Sequence, residues 1–299
     1  MNVGLVYSGG LSKCAYQVGF TEALLKYLPK SDVKVASGAS MGLFTAYALA
    51  TDKMEELKDL YGQINTSNSL SLFWQVCAKK LLKHAMDAFF TPKDKVSFPV
   101  CFPLTLMPIL KTKYFWLNGE FNPFWSDYFK AAANFPFVCG APRFIGGRFA
   151  TDGGAVDNIP LYPLLRLKDD YINGNSELDL IIVLHFHSRY NFRREFKTDI
   201  PVLDVDVSIC NGFKKRHFDF SREYVNEMIA ASREYGEKIM RRLLSCGLEK
   251  KNIFDTVNDI YMSEHERRQQ HDSADGLLTV LNAVGKAFRN DRSCSKKLY

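Results

Sequence analysis

The 299-residue sequence has no uninterrupted apolar run near the roughly 18 residues that a spanning helix needs, which excludes such a helix. It opens Met1-Asn2-Val3-Gly4-Leu5-Val6, without the basic and then apolar segments of a secretory leader, so residence in the cytoplasm is the expectation. Cysteine is sparse and scattered: the seven (14, 77, 101, 139, 210, 246, 294) are odd in number and include no C-x-x-C pair. That argues against a disulfide framework and a zinc site, and for reduced thiols. Neither G-x-x-x-x-G-K-[ST] nor G-x-G-x-x-G occurs, so a nucleotide phosphate loop is not expected. There is no concentrated basic block either. The net charge of +6 gives a mild preference for anionic surfaces such as phospholipid headgroups and no case for nucleic acid.

What is present is an ordinary globular composition, 46% hydrophobic and 24% charged, in a chain long enough for one large domain or two modest ones. It is organised around Gly38-Ala39-Ser40-Met41-Gly42. An apolar run, Val33 to Ser37, leads in, and a helix-compatible run, Leu43 to Ala50, leads out. This is the strand-turn-helix setting of a nucleophile elbow, so Ser40 reads as a nucleophile and Gly38 and Gly42 as positions where a side chain would clash. The pentapeptide alone would arise by chance in roughly one chain of this length in ten, so its setting matters. Upstream, Val3 to Tyr7 reads as a buried strand and Lys13 to Leu28 as a helix stopped by Pro29. Two strand-loop-helix units in fifty residues predict a parallel α/β sheet. The Ser8-Gly9-Gly10 loop lies where a strand gives way to a helix, and its amides and the helix dipole would favour a negative oxygen.

From Asp52 to Ala132 the composition turns aromatic, with Trp74, Trp116, Trp125 and many phenylalanines. Such rings could line an acyl-chain tunnel or meet a membrane, or they are core. Asn118-Gly119 has hairpin-turn chemistry, and Asn122-Pro123 reads as a helix start. Asp152-Gly153-Gly154 then places an acid at a strand end before two glycines that permit close approach to another loop. Asp152 is the candidate base and Asp157 its rival. Leu178 to Phe186 and Val202 to Val207 are further strands, and Phe218 to Leu244 is a long amphipathic helix. Five histidines (185, 187, 217, 265, 271) follow Asp152, which leaves a serine-acid-histidine triad open.

In this order, Ser8-Gly9-Gly10-Leu11-Ser12-Lys13-Cys14, Gly38 to Gly42, and Asp152-Gly153-Gly154 resemble the motifs of the patatin-like phospholipases. Asn158-Ile159-Pro160 is similar as well. The chain departs from the pattern at Leu11 and Cys14, where that family usually carries glycine. The resemblance covers roughly residues 1–240 and implies a three-layer α/β/α domain with a central, mostly parallel sheet, placed at 1–247; composition marks an aromatic-rich helical and hairpin insertion at 53–132 beside the site and a polar helical extension at 248–299. The resemblance implies a lipid acyl hydrolase acting on phospholipid or lysophospholipid esters through a Ser40-Asp152 dyad. The amides of Gly9, Gly10, Leu11 and Met41 would form the oxyanion hole, and Lys13 would steady the loop or attract a headgroup. No cofactor or metal is implied. A general carboxylesterase or thioesterase, and a catalytically silent lipid-binding module, are the alternatives.

Overall fold

The structure, a computed structural model, describes residues 1–66, 86–91, 94–120, 124–134, 142–166, 178–186, 198–211, 219–245, 247 and 250–270. Among these, eight strands form one sheet: β1 (Val3–Tyr7), β2 (Val33–Gly38), β3 (Val100–Met107), β4 (Lys111–Leu117), β5 (Arg143–Ile145), β6 (Arg148–Asp152), β7 (Leu180–His185) and β8 (Val202–Asp206). They are ordered β5-β6-β3-β2-β1-β7-β8, with β4 added on β3. The pairs β1/β2, β1/β7, β2/β3 and β7/β8 are parallel, and those made by β4, β5 and β6 are antiparallel.

Helices cover the sheet as the unbroken apolar runs of its strands require. Along β7, Leu180, Ile182 and Leu184 enter the larger core, while Ile181 and Val183 face a smaller cluster with Leu161 and Leu164. The larger core is covered by α1 (Cys14–Leu25), α2 (Met41–Ala50), α3 (Met54–Ile64), α4 (Trp125–Ala132) and α6 (Arg222–Leu244). Leu164 belongs to the short α5 (Tyr162–Leu165). The result is a three-layer α/β/α arrangement around a mostly parallel sheet. The last described helix, α7 (Lys250–Gln270), sends Ile253, Val257 and Ile260 into the larger core, so this part of the polar extension packs on the domain.

Two readings of the aromatic stretch change. Its strand β3 is an integral strand of the main sheet, beside β2. The hairpin around β4 is closed at its other end, since β4 pairs backwards with β3 through residues 108–110. Asn118-Gly119 still makes a turn, with Gly119 at φ 88°, but it leads to a single bridge between Lys95 and Glu120. Most described rings are core: Phe44 and Tyr47 of α2 meet Phe89, Phe90 and Phe129 with centroids 4.8–5.9 Å apart. Edge-on and tilted ring contacts of this kind add to simple burial. Trp74, Phe121 and Asn122-Pro123 lie outside the described residues.

The tightest helix contact is between α1 and α6, and a glycine sets it. A Cβ at Gly19 would stand 2.1 Å from the Ile229 carbonyl oxygen and 2.3 Å from the Ser232 hydroxyl. That hydroxyl donates to the Tyr16 carbonyl at 2.6 Å, pinning the two helices together. Gly62 in α3 has nothing nearer to such a Cβ than the Arg222 guanidinium at 3.8 Å. Gly19→Ala is therefore expected to destabilise the fold by at least about 2 kcal/mol through overpacking. Gly62→Ala should stabilise it by about 0.5–1 kcal/mol, because alanine is the better helix former. Urea melts of the two variants check the contrast.

Candidate active site

The site is made by two strands that end facing one another on one edge of β3. Ser37 of β2 pairs with Cys101, and Asp152 of β6 pairs with Leu104, three residues further along β3. At about 3.3 Å per residue the two levels are on the order of 10 Å apart. Because β2 is parallel to β3 and β6 antiparallel, the chain leaves both strands toward the gap between them. Ser40 enters it from one side and Asp152 from the other.

Ser40 is the residue before α2 and has φ 51° and ψ −130°, a conformation that costs about 1–3 kcal/mol for a residue with a side chain. The turn is held by Ala39 N–H donating to the Tyr7 carbonyl at 3.1 Å and Gly42 N–H donating to the Ala39 carbonyl at 2.8 Å. Both glycines are required by contact rather than by φ. A Cβ at Gly38 would meet the Gly42 carbonyl oxygen at 2.5 Å, and one at Gly42 would meet the Tyr7 and Ser8 carbonyl oxygens at 2.5 and 2.6 Å. Gly153 answers the same demand beside the acid, where a Cβ would lie 2.2 Å from the Pro103 carbonyl oxygen.

Asp152 is fully buried and Ser40 nearly so. The Asp152 Oδ1 accepts the Gly154 N–H at 2.8 Å, capping the short 3-10 turn Gly153–Ala155. Oδ2 is sealed from solvent without a hydrogen-bond partner among the described residues. Burial raises the carboxyl pKa from 3.8 to about 7, against the opposing pull of the neighbouring Ser40 hydroxyl and of the Gly154 amide. The rival Asp157 is committed elsewhere, accepting the Tyr114 hydroxyl at 2.5 Å.

The glycine loop lies directly against this pair. A Cβ at Gly9 would be 2.9 Å from the Ser40 Cβ, and one at Gly10 would run into the Phe186 ring at 2.3 Å. Gly9 itself is a poor candidate donor for an oxyanion, because its N–H is given to the Asn158 carbonyl at 3.2 Å. The Gly10, Leu11 and Met41 amides carry no hydrogen bond to another described residue. Leu11 has φ 52°. Leucine thus stands in the left-handed region, at a cost of roughly 1–2 kcal/mol, at the position where glycine was expected. Cys14, the other departure, turns its thiol toward the Ser8 carbonyl at 3.6 Å, and burial pushes that thiol well above its usual range. Lys13 is buried, not exposed, and its N–H closes the loop on the Gly10 carbonyl at 3.1 Å. That suits a loop-supporting residue better than one reaching for a headgroup.

Two residues that the sequence reading gave no role hold the site together. Asn158 clamps the loops: its Nδ2 donates to the Gly9 carbonyl at 2.9 Å, its backbone carbonyl takes the Gly9 amide, and its Oδ1 sits against Gly154. Its signal in the sequence was the Asn158-Ile159-Pro160 segment, which resembles the patatin-like pattern but says nothing of what the side chain bonds. Gln17, fully buried on α1, donates to the Ser8 and Leu184 carbonyls at 2.8 and 3.3 Å, tying the loop to β7. Of the histidines, His185 is buried with its Nε2 held by Asp204 Oδ1. His187, His217 and His271 lie outside the described residues, as does the side chain of His265. No group of three or more metal-ligating side chains occurs among the described residues. No helix among them is long and apolar enough to cross a membrane.

A strained serine at a strand-to-helix turn, beside a buried carboxyl on a mostly parallel α/β sheet, is the framework of a serine hydrolase. The patatin-like phospholipase profile matches residues 5–165, more than half of the chain and a span that contains the whole constellation. The chain belongs to the patatin-like phospholipase family, whose general activity is the hydrolysis of lipid acyl esters. VipD from Legionella pneumophila is similar in structure, with a TM-score of 0.41 and 12% identity over 95% of this chain and 79% of that one. Among curated protein sequences none matches.

The Asp152 carboxyl holds its proton more tightly in the folded chain than in the unfolded one, where 3.8 applies. It therefore supports the fold fully below about pH 4, and that support is lost progressively as pH rises through about 7. Between pH 5 and 8 the stability of the wild type relative to Asp152→Asn is expected to fall by up to about 3 kcal/mol, at about 1.4 kcal/mol per pH unit. Denaturant melts at the two pH values measure this, and an unchanged difference contradicts it. Asn158→Ala should cost about 1–3 kcal/mol by unclamping Gly9 from the acid loop.

Proposed function

We propose that this chain cleaves carboxylic esters of phospholipids or lysophospholipids through a Ser40-Asp152 dyad and an acyl-enzyme. The reading rests above all on one observation, the meeting of Ser40 and the buried Asp152 at Gly154, where a Cβ would stand 3.1 Å from the Asp152 Oδ1 and 3.7 Å from the Ser40 Cβ, with the carboxyl pKa raised to about 7 by burial. A carboxylate with that pKa is a far better base at neutral pH than an ordinary aspartate, and it needs no histidine between itself and the serine. In the first half-reaction the ionised Asp152 takes the Ser40 proton as Oγ attacks the ester carbonyl carbon. Negative charge moves to the carbonyl oxygen, where the Gly10, Leu11 and Met41 amides and the N-terminus of α2 receive it. Collapse of the intermediate breaks the ester bond, and the proton held by Asp152 passes to the departing alcohol. Water, deprotonated by the same carboxylate, then releases the fatty acid.

The strained backbone at Ser40 supports this assignment, since a residue with no task there would relax at a saving of 1–3 kcal/mol. The loss of one oxyanion donor costs about 10²–10³ in rate, and a general base contributes about 10²–10⁴. Removing the nucleophile removes the pathway.

A fluorophosphonate probe should label the wild type at Ser40 and leave Ser40→Ala unlabelled. Hydrolysis of phospholipid or lysophospholipid should fall at least about 10³-fold in Ser40→Ala and about 10²–10⁴-fold in Asp152→Asn. His217→Asn, His265→Asn and His271→Asn should stay within a few-fold. The acid limb of kcat/KM should titrate near pH 7, activity falling below it as Asp152 takes up its proton. A steep rise in rate when substrate passes from monomers to micelles would separate a lipase from an esterase on soluble acyl groups. A chain that never reacts with the probe is not this enzyme.

A further inference from the structure

The exposed apolar side chains of the described residues include a set concentrated at one end of the sheet. Phe144 of β5 and Phe149 of β6 are 66% and 54% exposed, stand opposite one another across the hairpin, and meet edge-to-face with centroids 5.4 Å apart. Gly146 and Gly147 form the turn at φ 55° and 80°, and neither has any atom within 4 Å of where a Cβ would be. The second exposed residue cluster is the 108–110 turn between β3 and β4, where Ile109 is 58% exposed. Because Met107 pairs with Phe149, these two turns are neighbours.

The charge around them has one sign. Residues 143–151 contain Arg143 and Arg148, residues 108–113 contain Lys111 and Lys113, and neither segment holds an acid. Arg143, Arg148 and Lys111 are exposed. None of the three has an ion-pair partner among the described residues. Two large rings that solvent reaches, rimmed by cations with no ion-paired acid among the described residues, are an unfavourable surface in water and a favourable one at an anionic headgroup layer. There the rings leave water and the cations meet phosphate.

The position matters as much as the composition. Along β3, Ser37 of the nucleophile strand is level with Cys101, Asp152 with Leu104, and Phe149 with Met107. The tip therefore projects beyond the elbow in the direction that β2 is already pointing, on the order of 20 Å past Ser37. The candidate catalytic pair lies between. A surface in contact with this tip faces the same end of the sheet as the nucleophile.

The geometry points to the β5–β6 hairpin tip and the adjoining β3–β4 turn as the surface by which this chain docks on an anionic phospholipid bilayer. The inference gives the proposed lipid hydrolase its route to substrate and rests on that reading for its purpose, but docking itself needs no chemistry.

The test is co-sedimentation of the full chain, in a Ser40→Ala background that cannot degrade the lipid, with phosphatidylcholine vesicles containing or lacking phosphatidylserine. Binding should be tighter on the anionic vesicles and weaken as salt is raised. Phe144→Ala with Phe149→Ala should weaken binding at least tenfold on anionic vesicles. Arg143→Gln with Arg148→Gln should weaken it about fivefold per arginine on those vesicles and not on neutral ones. All four side chains are exposed, so melting temperature and, with Ser40 restored, hydrolysis of a soluble monomeric ester should be unchanged. Phe144→Trp gives an independent readout, a blue shift of its emission on adding anionic vesicles. Wild-type affinity in both double variants, or no vesicle binding by the parent chain, overturns the docking surface. A chain that cleaves the soluble ester yet ignores vesicles loses this inference alone, whereas one that docks but never reacts with the fluorophosphonate loses the hydrolase reading alone.

Discussion

Everything at the site depends on how β3 shares one of its edges. Its other edge is taken by β4 from Val100 to Leu106, so β2 and β6 must use the same side, one after the other. One of them runs parallel to β3 and the other antiparallel, which turns their carboxyl ends toward a common gap. Hydrogen-bond register is a stiff constraint, since a slip by one residue would turn every side chain of a strand to the opposite face. Serine and aspartate, 112 positions apart in the chain (152 − 40), are thus brought together by backbone pairing before either side chain contributes.

Close approach is the second layer of the design. Gly38, Gly42 and Gly153 face backbone atoms at distances that leave no room for a methyl group, and a Cβ at Gly9 would stand 2.9 Å from the Ser40 Cβ. The loops carrying Ser40, Asp152 and the Gly9-Gly10 amides can therefore pack backbone to backbone, and Asn158 and Gln17 bridge what remains. The crowding excludes water, and dryness is what lifts the Asp152 carboxyl to about 7. The Ser40 conformation and the left-handed Leu11 are costs carried by this arrangement, offset by the burial around it.

The departures from the expected pattern at Leu11 and Cys14 look less alike in three dimensions than in the sequence. Cys14 is accommodated, with its thiol against a carbonyl that Gln17 also satisfies. Leu11 is strained, and its half-buried side chain packs on the main core, which offsets part of what its backbone loses. An amide donates whatever side chain its residue bears, so the loop keeps the Gly10 and Leu11 N–H groups in place of the Gly9 amide that Asn158 occupies.

Local chemistry was legible where a residue's role depends on its neighbours in the chain. The apolar runs of β1, β2 and β7, the elbow around Ser40, the turn after Asp152 and the long helix α6 all declare themselves by spacing and by glycine. What the sequence could not decide were matters of pairing between distant segments. These include whether β4 folds forward or back, that β3 is a central strand, that Lys13 is buried, that Asn158 takes the Gly9 amide, and that His185 is held by Asp204. Spacing encodes which face of an element a residue occupies, and it is silent on what that face will meet. The partners come only with the tertiary structure, because burial and register are properties of two segments at once.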